Sequence, residues 1–292
     1  MRIFIAGATG VLGRSLLPML VKSGHRVVAL ARSAEKEKLV RGLGGFPVTG
    51  DILNLESLKR ATEGCQGVVH IATAIPNGSS GQADWRENDR VRTEGTRHLL
   101  SAAQQNGASV YVQQSIVFPY GNHGDEWIDE STPFSGSVLE HLQSAVEMEE
   151  LVRSANVRWR ILRGGSFYGP GTRTTEDLIH RAKQGSLQIQ GDGMHYMSLI
   201  HVYDMAQAIQ LALQAVGQNG VYNVVDDEPV RQRELFEFIA GMVGRPVSNW
   251  DRIANPVLSL RCSNRRLRAD LGFEPRYPNY EIGYREVWKS IG

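Results

Sequence analysis

The chain has 292 residues, 41% of them hydrophobic and 22% charged, which is enough length and apolar material to bury a large core and excludes a disordered or collagen-like chain. Lysine and arginine number 32 against 31 acids, so a formal net charge of +1 gives no field to hold the whole molecule on nucleic acid or an anionic membrane. Two cysteines, Cys65 and Cys262, are too few for a zinc site or a disulfide framework, which points to no metal and to a reducing compartment, the cytoplasm.

The amino terminus enters a short apolar strand directly, without the pattern of a signal peptide, and no apolar run approaches the ~18 residues of a membrane span. Up to Ile116, β-branched runs alternate with helical stretches, the pattern of βαβ units and a parallel sheet in an α/β fold. Strands are predicted at Arg2–Ala6, Arg26–Ala31, Val68–Ile71 and Ser109–Gln113. Helices are predicted at Leu12–Lys22, Asn54–Ala61 and Trp85–Gln105, where apolar residues recur three and four apart. Asn77–Gly81 reads as a mobile loop at the sheet edge. A loop marked by Pro119, Gly121, Gly124 and Pro133 precedes a helix over Ser137–Ser154 and a strand over Val157–Arg163. Helices near Met205–Ala215 and Gln232–Val243 follow a glycine-rich stretch. These elements divide into a dinucleotide-binding domain, residues 1–165, and a smaller substrate-binding lobe, residues 166–292, with a return of the chain to the sheet near 199–225.

Gly7-Ala-Thr9-Gly10-Val11-Leu12-Gly13 lies between the first strand and the first helix. Glycines there permit a tight turn and let backbone N–H groups and a helix N-terminus meet a pyrophosphate. Dinucleotide binding is the inference. With Gly50-Asp51, His70-Ile-Ala-Thr73, Glu94-Gly-Thr96, the segment Leu162–Gly171 that ends in Tyr-Gly-Pro-Gly, and Ile200–Asp204, this loop resembles the extended short-chain dehydrogenase/reductase, or NAD-dependent epimerase/dehydratase, family. Tyr222–Pro229, Ser263–Leu267 and Leu271-Gly-Phe273 extend the likeness towards the carboxyl terminus. The resemblance implies a Rossmann-like doubly wound parallel sheet with a small carboxyl-terminal lobe, and a homodimer paired through the helices around Trp85–Gln105 and Ser137–Ser154. It further implies that Asp51 and Ile52 flank the adenine, that Ala72, Thr73 and Ala74 line the path to the nicotinamide ribose, and that Gly164 and Phe167 join the cofactor contacts.

Proteins that select NAD place a carboxylate at the end of the second strand for the ribose 2′-hydroxyl. Ala31 fills that place and Arg32 follows it, with Arg14 just past the third glycine as a second cation. A guanidinium fork suits a 2′-phosphate, so NADP(H) is predicted over NAD(H).

The family's proton relay is a tyrosine followed four residues later by a lysine, which lowers the tyrosine pKa and holds the ribose. No tyrosine here has a lysine four residues on. Aligning Gln143–Glu149 with the family's helix puts His141 at the tyrosine position and Ala145 at the lysine position. Imidazole titrates near neutrality and could protonate a carbonyl oxygen. Tyr120 is the second candidate donor. Ser115 matches the substrate-orienting serine. The expected asparagine, three residues before Gly95, is Arg92, either a charged substrate contact or a solvent-facing side chain.

On the substrate side, Ser166 replaces the asparagine of the sugar-nucleotide enzymes, while Arg173, His195 and Arg261 offer an anion site. Phe118, Tyr120, Trp127, Phe167, Tyr168, Tyr196 and Met197 suggest an apolar wall, although Phe167 and Tyr168 read better as packing between lobe and sheet. Trp127 and Tyr196 are the aromatic substrate candidates. The chain reads as an NADP(H)-dependent oxidoreductase acting on a small or medium organic carbonyl, alcohol or enone with a non-standard relay. The alternatives are a non-catalytic NADP(H)-binding sensor, a non-redox isomerase or lyase, and a sugar-nucleotide epimerase or dehydratase on the same scaffold.

Overall fold

In β1 (Arg2–Ala6), Ile3, Phe4, Ile5 and Ala6 are fully buried, as a strand covered on both faces requires. The computed structural model describes residues 1–76, 83–137, 140–250 and 257–291; Asn77–Gly81 falls outside them. After β1 come α1 (Val11–Lys22), β2 (Arg26–Ala31), α2 (Ala34–Gly42), β3 (Phe46–Thr49), α3 (Leu55–Ala61) and β4 (Gly67–His70). Then follow α4 (Arg86–Arg90), a π-helical turn at Val91–Gly95, α5 (Thr96–Gln105), β5 (Val110–Ile116) and α6 (Glu140–Arg153).

The central sheet has seven strands in the order Gly220–Val224, Trp159–Gly164, β5, β4, β1, β2, β3. The pairs that β1 makes with β2 and β4, β2 with β3 and β4 with β5 are all parallel. The fold is therefore a Rossmann-like doubly wound sheet. Its strand order reverses between β1 and β4, and in such sheets ligands bind outside the carboxyl ends of the strands at that point.

The four strands expected up to Ile116 are present, and α2 and β3 are additional. α2 buries only Val40 and begins with Ser33 accepting from Lys36 N at 3.3 Å. β3 is a four-residue edge strand that carries a proline, which sheets tolerate only at an edge. The helix predicted over Trp85–Gln105 is α4 and α5 joined through the π turn.

By contacts the chain forms two units, Met1–Pro119 with Leu139–Arg163 and Ala206–Tyr222, and Tyr120–Val138 with Gly164–Met205 and Asn223–Gly292. The second unit is built on short ladders, such as Ser166–Tyr168 with Leu199–His201 and Trp127–Ile128 with Arg261–Cys262. Helices Arg173–Lys183, Gln232–Met242 and Tyr280–Ile291 contribute to its core of Leu178, Leu187, Ile189, Leu235, Phe236, Ile239 and Tyr284. Among the described residues, no helix is long and apolar enough to cross a membrane.

Two acids are buried in that second unit. Asp204 is fully buried and accepts from Arg276 N at 2.9 Å and Tyr277 N at 3.0 Å, yet burial pushes its pKa up to about 6. Asp226 is 1% exposed, and burial with the charges of Asp227, Glu228 and Asp204 pushes it well above the usual carboxylate range, with the Glu228 backbone N–H opposing. An acid whose pKa is higher folded than unfolded stabilises the fold below its unfolded pKa, and that contribution is lost as pH rises through the folded value. Stability should therefore fall from about pH 4 upward, through about 6 for Asp204 and beyond it for Asp226. Asp226→Asn, isosteric and neutral, is expected to raise the melting temperature more at pH 8 than at pH 5, by roughly 2–4 °C per kcal/mol recovered. Thermal melts of both proteins across this range check it, and an equal effect at both pH values would contradict it.

Candidate functional site

At the end of β1 the chain turns through Gly7, whose φ of 99° favours glycine. A Cβ on Gly7 would stand 2.6 Å from Ala72 N, and one on Gly13 would stand 2.4 Å from the Ala8 backbone. Packing alone demands both glycines. Gly10 is different, because it has an ordinary φ of −74°, is exposed, and would set a Cβ no closer than 3.4 Å to Gly7 O. As the N-cap of α1 it offers no side-chain cap, so the leading N–H groups of α1 at Val11, Leu12 and Gly13 are available to a ligand. Thr9 and Val11 beside it are half-buried and Leu12 is buried. An open glycine at an uncapped helix start fits a pyrophosphate.

The loop after β4 is held from below. His70 is 1% exposed, its pKa is pushed down to about 4 by burial, and its Nδ1 accepts from Ala72 N at 3.3 Å. Ala74 N donates to Asn88 Oδ1 at 3.1 Å, while Thr73 between them is exposed. Asp51 is fixed by Leu53 N, which donates to its Oδ1 at 2.8 Å, and Ile52 packs against Gly95. Ala31, at the end of β2, is buried, whereas Arg14 and Arg32 are exposed. The Arg32 guanidinium lies 3.9 Å from Glu87 with both side chains about two-thirds exposed (64% and 68%), a pair too solvated to compete strongly with a bound phosphate.

Ser115, at 2% exposure, donates its hydroxyl to Glu149 Oε1 at 2.7 Å. The same carboxylate accepts from Arg163 Nε at 2.9 Å and Nη2 at 2.7 Å, a buried two-point ion pair, and from Arg153 at 3.3 Å. The Ser115 proton is thus committed to Glu149, and toward a ligand this hydroxyl accepts. Arg92, in the π turn, is 7% exposed and does not face solvent; its Nη1 donates to Ser144 Oγ at 3.3 Å. Burial lowers its pKa, with Asp89 opposing. Ala145, the next residue on α6, is 1% exposed. His141 falls in α6, but its side chain lies outside the described residues.

The remaining candidates belong to the second unit. Tyr120 is fully buried and donates to Asn223 Oδ1 at 2.9 Å. Trp127 is 49% exposed beneath Arg261, 4.3 Å from its ring centre, and Arg261 also stacks on Tyr196 at 4.8 Å. Ser166 N donates to Ser198 O, Gly164 has no room for a side chain beside Phe167, and Arg173 is exposed. Tyr168 stacks on Tyr284 at 5.1 Å between ring centres. Trp127, Asp129, Glu130, Ser131, Ser263, Arg265 and Arg266 line a cavity of about 340 Å³.

Residues 3–225 match the model of the NAD dependent epimerase/dehydratase family. The chain belongs to that family. A 3-diazoavenalumate denitrifying reductase from a Streptomyces species is 30% identical, covering 97% of this chain and 99% of its own length. A 2-alkyl-3-oxoalkanoate reductase from Stenotrophomonas maltophilia is 28% identical over 84% of this chain and 77% of its own. A solved dTDP-glucose 4,6-dehydratase from Streptomyces venezuelae, with NAD and TYD bound, covers 99% of this chain and 96% of that one at a TM-score of 0.85 and 20% identity, a likeness of fold.

The sequence reading of this epimerase/dehydratase family member did not single out Asn88, Ser144, Glu149 or Arg163. Glu149 could have been found, since it stands one helical turn after Ala145 and an arginine ends the next strand. Asn88 carries no local signal. The three glycines separate by experiment. Gly7→Ala and Gly13→Ala are expected to lower the melting temperature, because backbone must move, whereas Gly10→Ala leaves it near the wild-type value. Melts of the three variants test this, and a loss in Gly10→Ala as large as in Gly13→Ala would contradict it.

Proposed function

We propose that the chain is an NADP(H)-dependent oxidoreductase acting on a small or medium organic substrate, with a proton relay that differs from the family's tyrosine and lysine. The carrying observation is the open Gly10 at the uncapped start of α1, with Arg32 rather than a carboxylate beyond β2. The relatives named as reductases support the oxidoreductase part of this reading. In it the α1 N–H groups hold the pyrophosphate, Asp51 and Ile52 the adenine, Arg32 with Arg14 the 2′-phosphate, and residues 72–74 the far ribose. NADPH supplies hydride when bound. Ser115 orients a donor group of the substrate, and His141 is the candidate proton source for a carbonyl or enone, since the Tyr120 proton is held by Asn223.

A second reading is favoured by the missing Tyr/Lys pair together with the 30% likeness to a denitrifying reductase of a diazo compound. A neutral quinone diazide or diazo ketone takes hydride at carbon while nitrogen leaves as a neutral gas and the charge is left as a phenolate or enolate (O=R=N₂ + H⁻ → ⁻O–R–H + N₂), so the site need not protonate a developing alkoxide. The buried Arg92 would favour acceptors whose incoming negative charge ends on a conjugated oxygen over a bare cation.

Titration of the protein with NADPH and NADH, followed by nucleotide fluorescence, tests the cofactor. Arg32→Ala is expected to weaken NADPH about tenfold and to leave NADH unchanged, and Gly10→Ala to weaken both. Failure of the wild type to bind either nucleotide would overturn the proposal in favour of a protein that uses the fold without the cofactor. Turnover separates the two readings. NADPH consumption with hydroxyl-bearing ketones and enones, slowed in Ser115→Ala, supports the first, whereas consumption coupled to N₂ release from a diazo ketone or quinone diazide supports the second. Tight binding without turnover of any of these would leave a nucleotide sensor.

A further inference from the structure

The short ladder of the second unit that pairs Trp127–Ile128 with Arg261–Cys262 has two unlike faces. Ile128 and Cys262 are buried on one of them, while Trp127 is 49% exposed on the other, with its register partner Arg261 over the ring at 4.3 Å. Ser263 N donates to Ile128 O at 2.8 Å, which carries the pairing one residue further. The cavity of about 340 Å³ opens here, large enough for a small ligand, and Trp127 is the aromatic side chain in its lining.

The polar groups of this cavity are unequally engaged. Asp129 Oδ1 accepts from Ser131 N at 2.9 Å and from Ser131 Oγ at 2.5 Å, and Glu130 Oε1 accepts from Asn223 N at 2.6 Å. Burial pushes the Glu130 carboxyl up, opposed by the Asn223 N–H and by the charge of Arg266, which also reaches Asp270 at 3.4 Å. Arg265 is different. It is exposed, forms no ion pair among the described residues, and holds its guanidinium 6.0 Å from the Trp127 ring centre. The Ser263 hydroxyl accepts from Arg265 N at 3.3 Å and gives its own proton to no described acceptor. Arg261 donates from Nη1 to Asp125 O at 3.3 Å and keeps a buried Nε without a partner, while the Asp125 carboxylate is paired with Arg231. The groups left with donors to spend are two guanidiniums and a hydroxyl, beside an indole that water covers.

A flat ring laid on the indole would take apolar surface of both out of water. A guanidinium fork and a hydroxyl suit the two oxygens of a carboxylate. We propose that this cavity binds a flat aromatic carboxylate, its ring on Trp127 and its carboxylate on Arg265 and the Ser263 hydroxyl, with Arg261 holding the indole in place. Every residue used belongs to the second unit, so the inference stands apart from the dinucleotide reading.

The test is isothermal titration calorimetry of the full chain without nucleotide, with 2-naphthoate as the probe. A Kd of about 0.1 mM is expected for a ligand of this size. 2-Naphthalenemethanol carries the ring without the charge, and decahydro-2-naphthoate the charge without the flat ring. Both, and inorganic phosphate, are expected to bind about tenfold more weakly or less. Arg265→Gln and Trp127→Ala are each expected to raise the Kd for 2-naphthoate about tenfold, and Trp127→Phe to stay within about threefold of wild type. Both side chains are exposed, so melting temperatures near the wild-type value are expected and establish that each variant is folded. Absence of saturable 2-naphthoate binding would overturn the inference. So would equal binding of the alcohol, the saturated acid or phosphate, or a Kd unchanged in either Arg265→Gln or Trp127→Ala, which would put the ligand elsewhere on the chain.

Discussion

The ion pair between Glu149 and Arg163 fixes what the rest of the first unit can do. Both side chains are nearly inaccessible, and the guanidinium grips the carboxylate through Nε and Nη2 while Ser115 adds a third bond. Breaking such a pair by removing one partner costs about 3–5 kcal/mol, because the survivor is left charged in a dry environment. The three residues lie on α6, on strand Trp159–Gly164 and on β5, so the pair pins the helix to two strands near their carboxyl ends. A helix pinned at Glu149 has its register set one turn earlier, at Ala145 and Ser144. The meeting of Arg92 with Ser144 therefore follows from a contact that involves neither of them.

Ser115 changes character within this arrangement. A free serine hydroxyl can both donate and accept, and in a carbonyl reductase it is the donation that matters. With its proton directed at a carboxylate 2.7 Å away, the remaining capacity is two lone pairs. A ligand would have to bring its own donor, as an alcohol or a hydroxylated ring does.

The parts of the molecule that sequence exposed are those whose signal is local. The glycine turn is legible because Gly7, Gly10 and Gly13 sit between an apolar strand and an amphipathic helix, and the parallel strands are legible because they are apolar on both faces. α2 hides because it buries one residue, and β3 because four residues with a proline form no alternating pattern. The ladders of the second unit are two or three residues long, too short for any period to appear. The π turn has no compositional mark, since it is a matter of one extra residue in a turn. Asn88 and Ser144 were invisible because their roles are defined by partners 14 and 52 residues away in sequence.

The buried ionisable groups narrow the chemistry further. His70 and His201 are both pushed down to about 4 by burial, so each is neutral and a poor acid at neutral pH. Burial drives the Tyr168 and Tyr284 hydroxyls upward, and burial with the neighbouring carboxylates raises Asp226, which is itself inaccessible. Asp204, at about 6, has the right affinity for a proton, but it is wholly inaccessible and both its oxygens are engaged by the Arg276 and Tyr277 amides. Tyr120 is equally inaccessible and its proton goes to Asn223. A general acid needs both a suitable pKa and a path to the substrate oxygen, and none of these side chains has both.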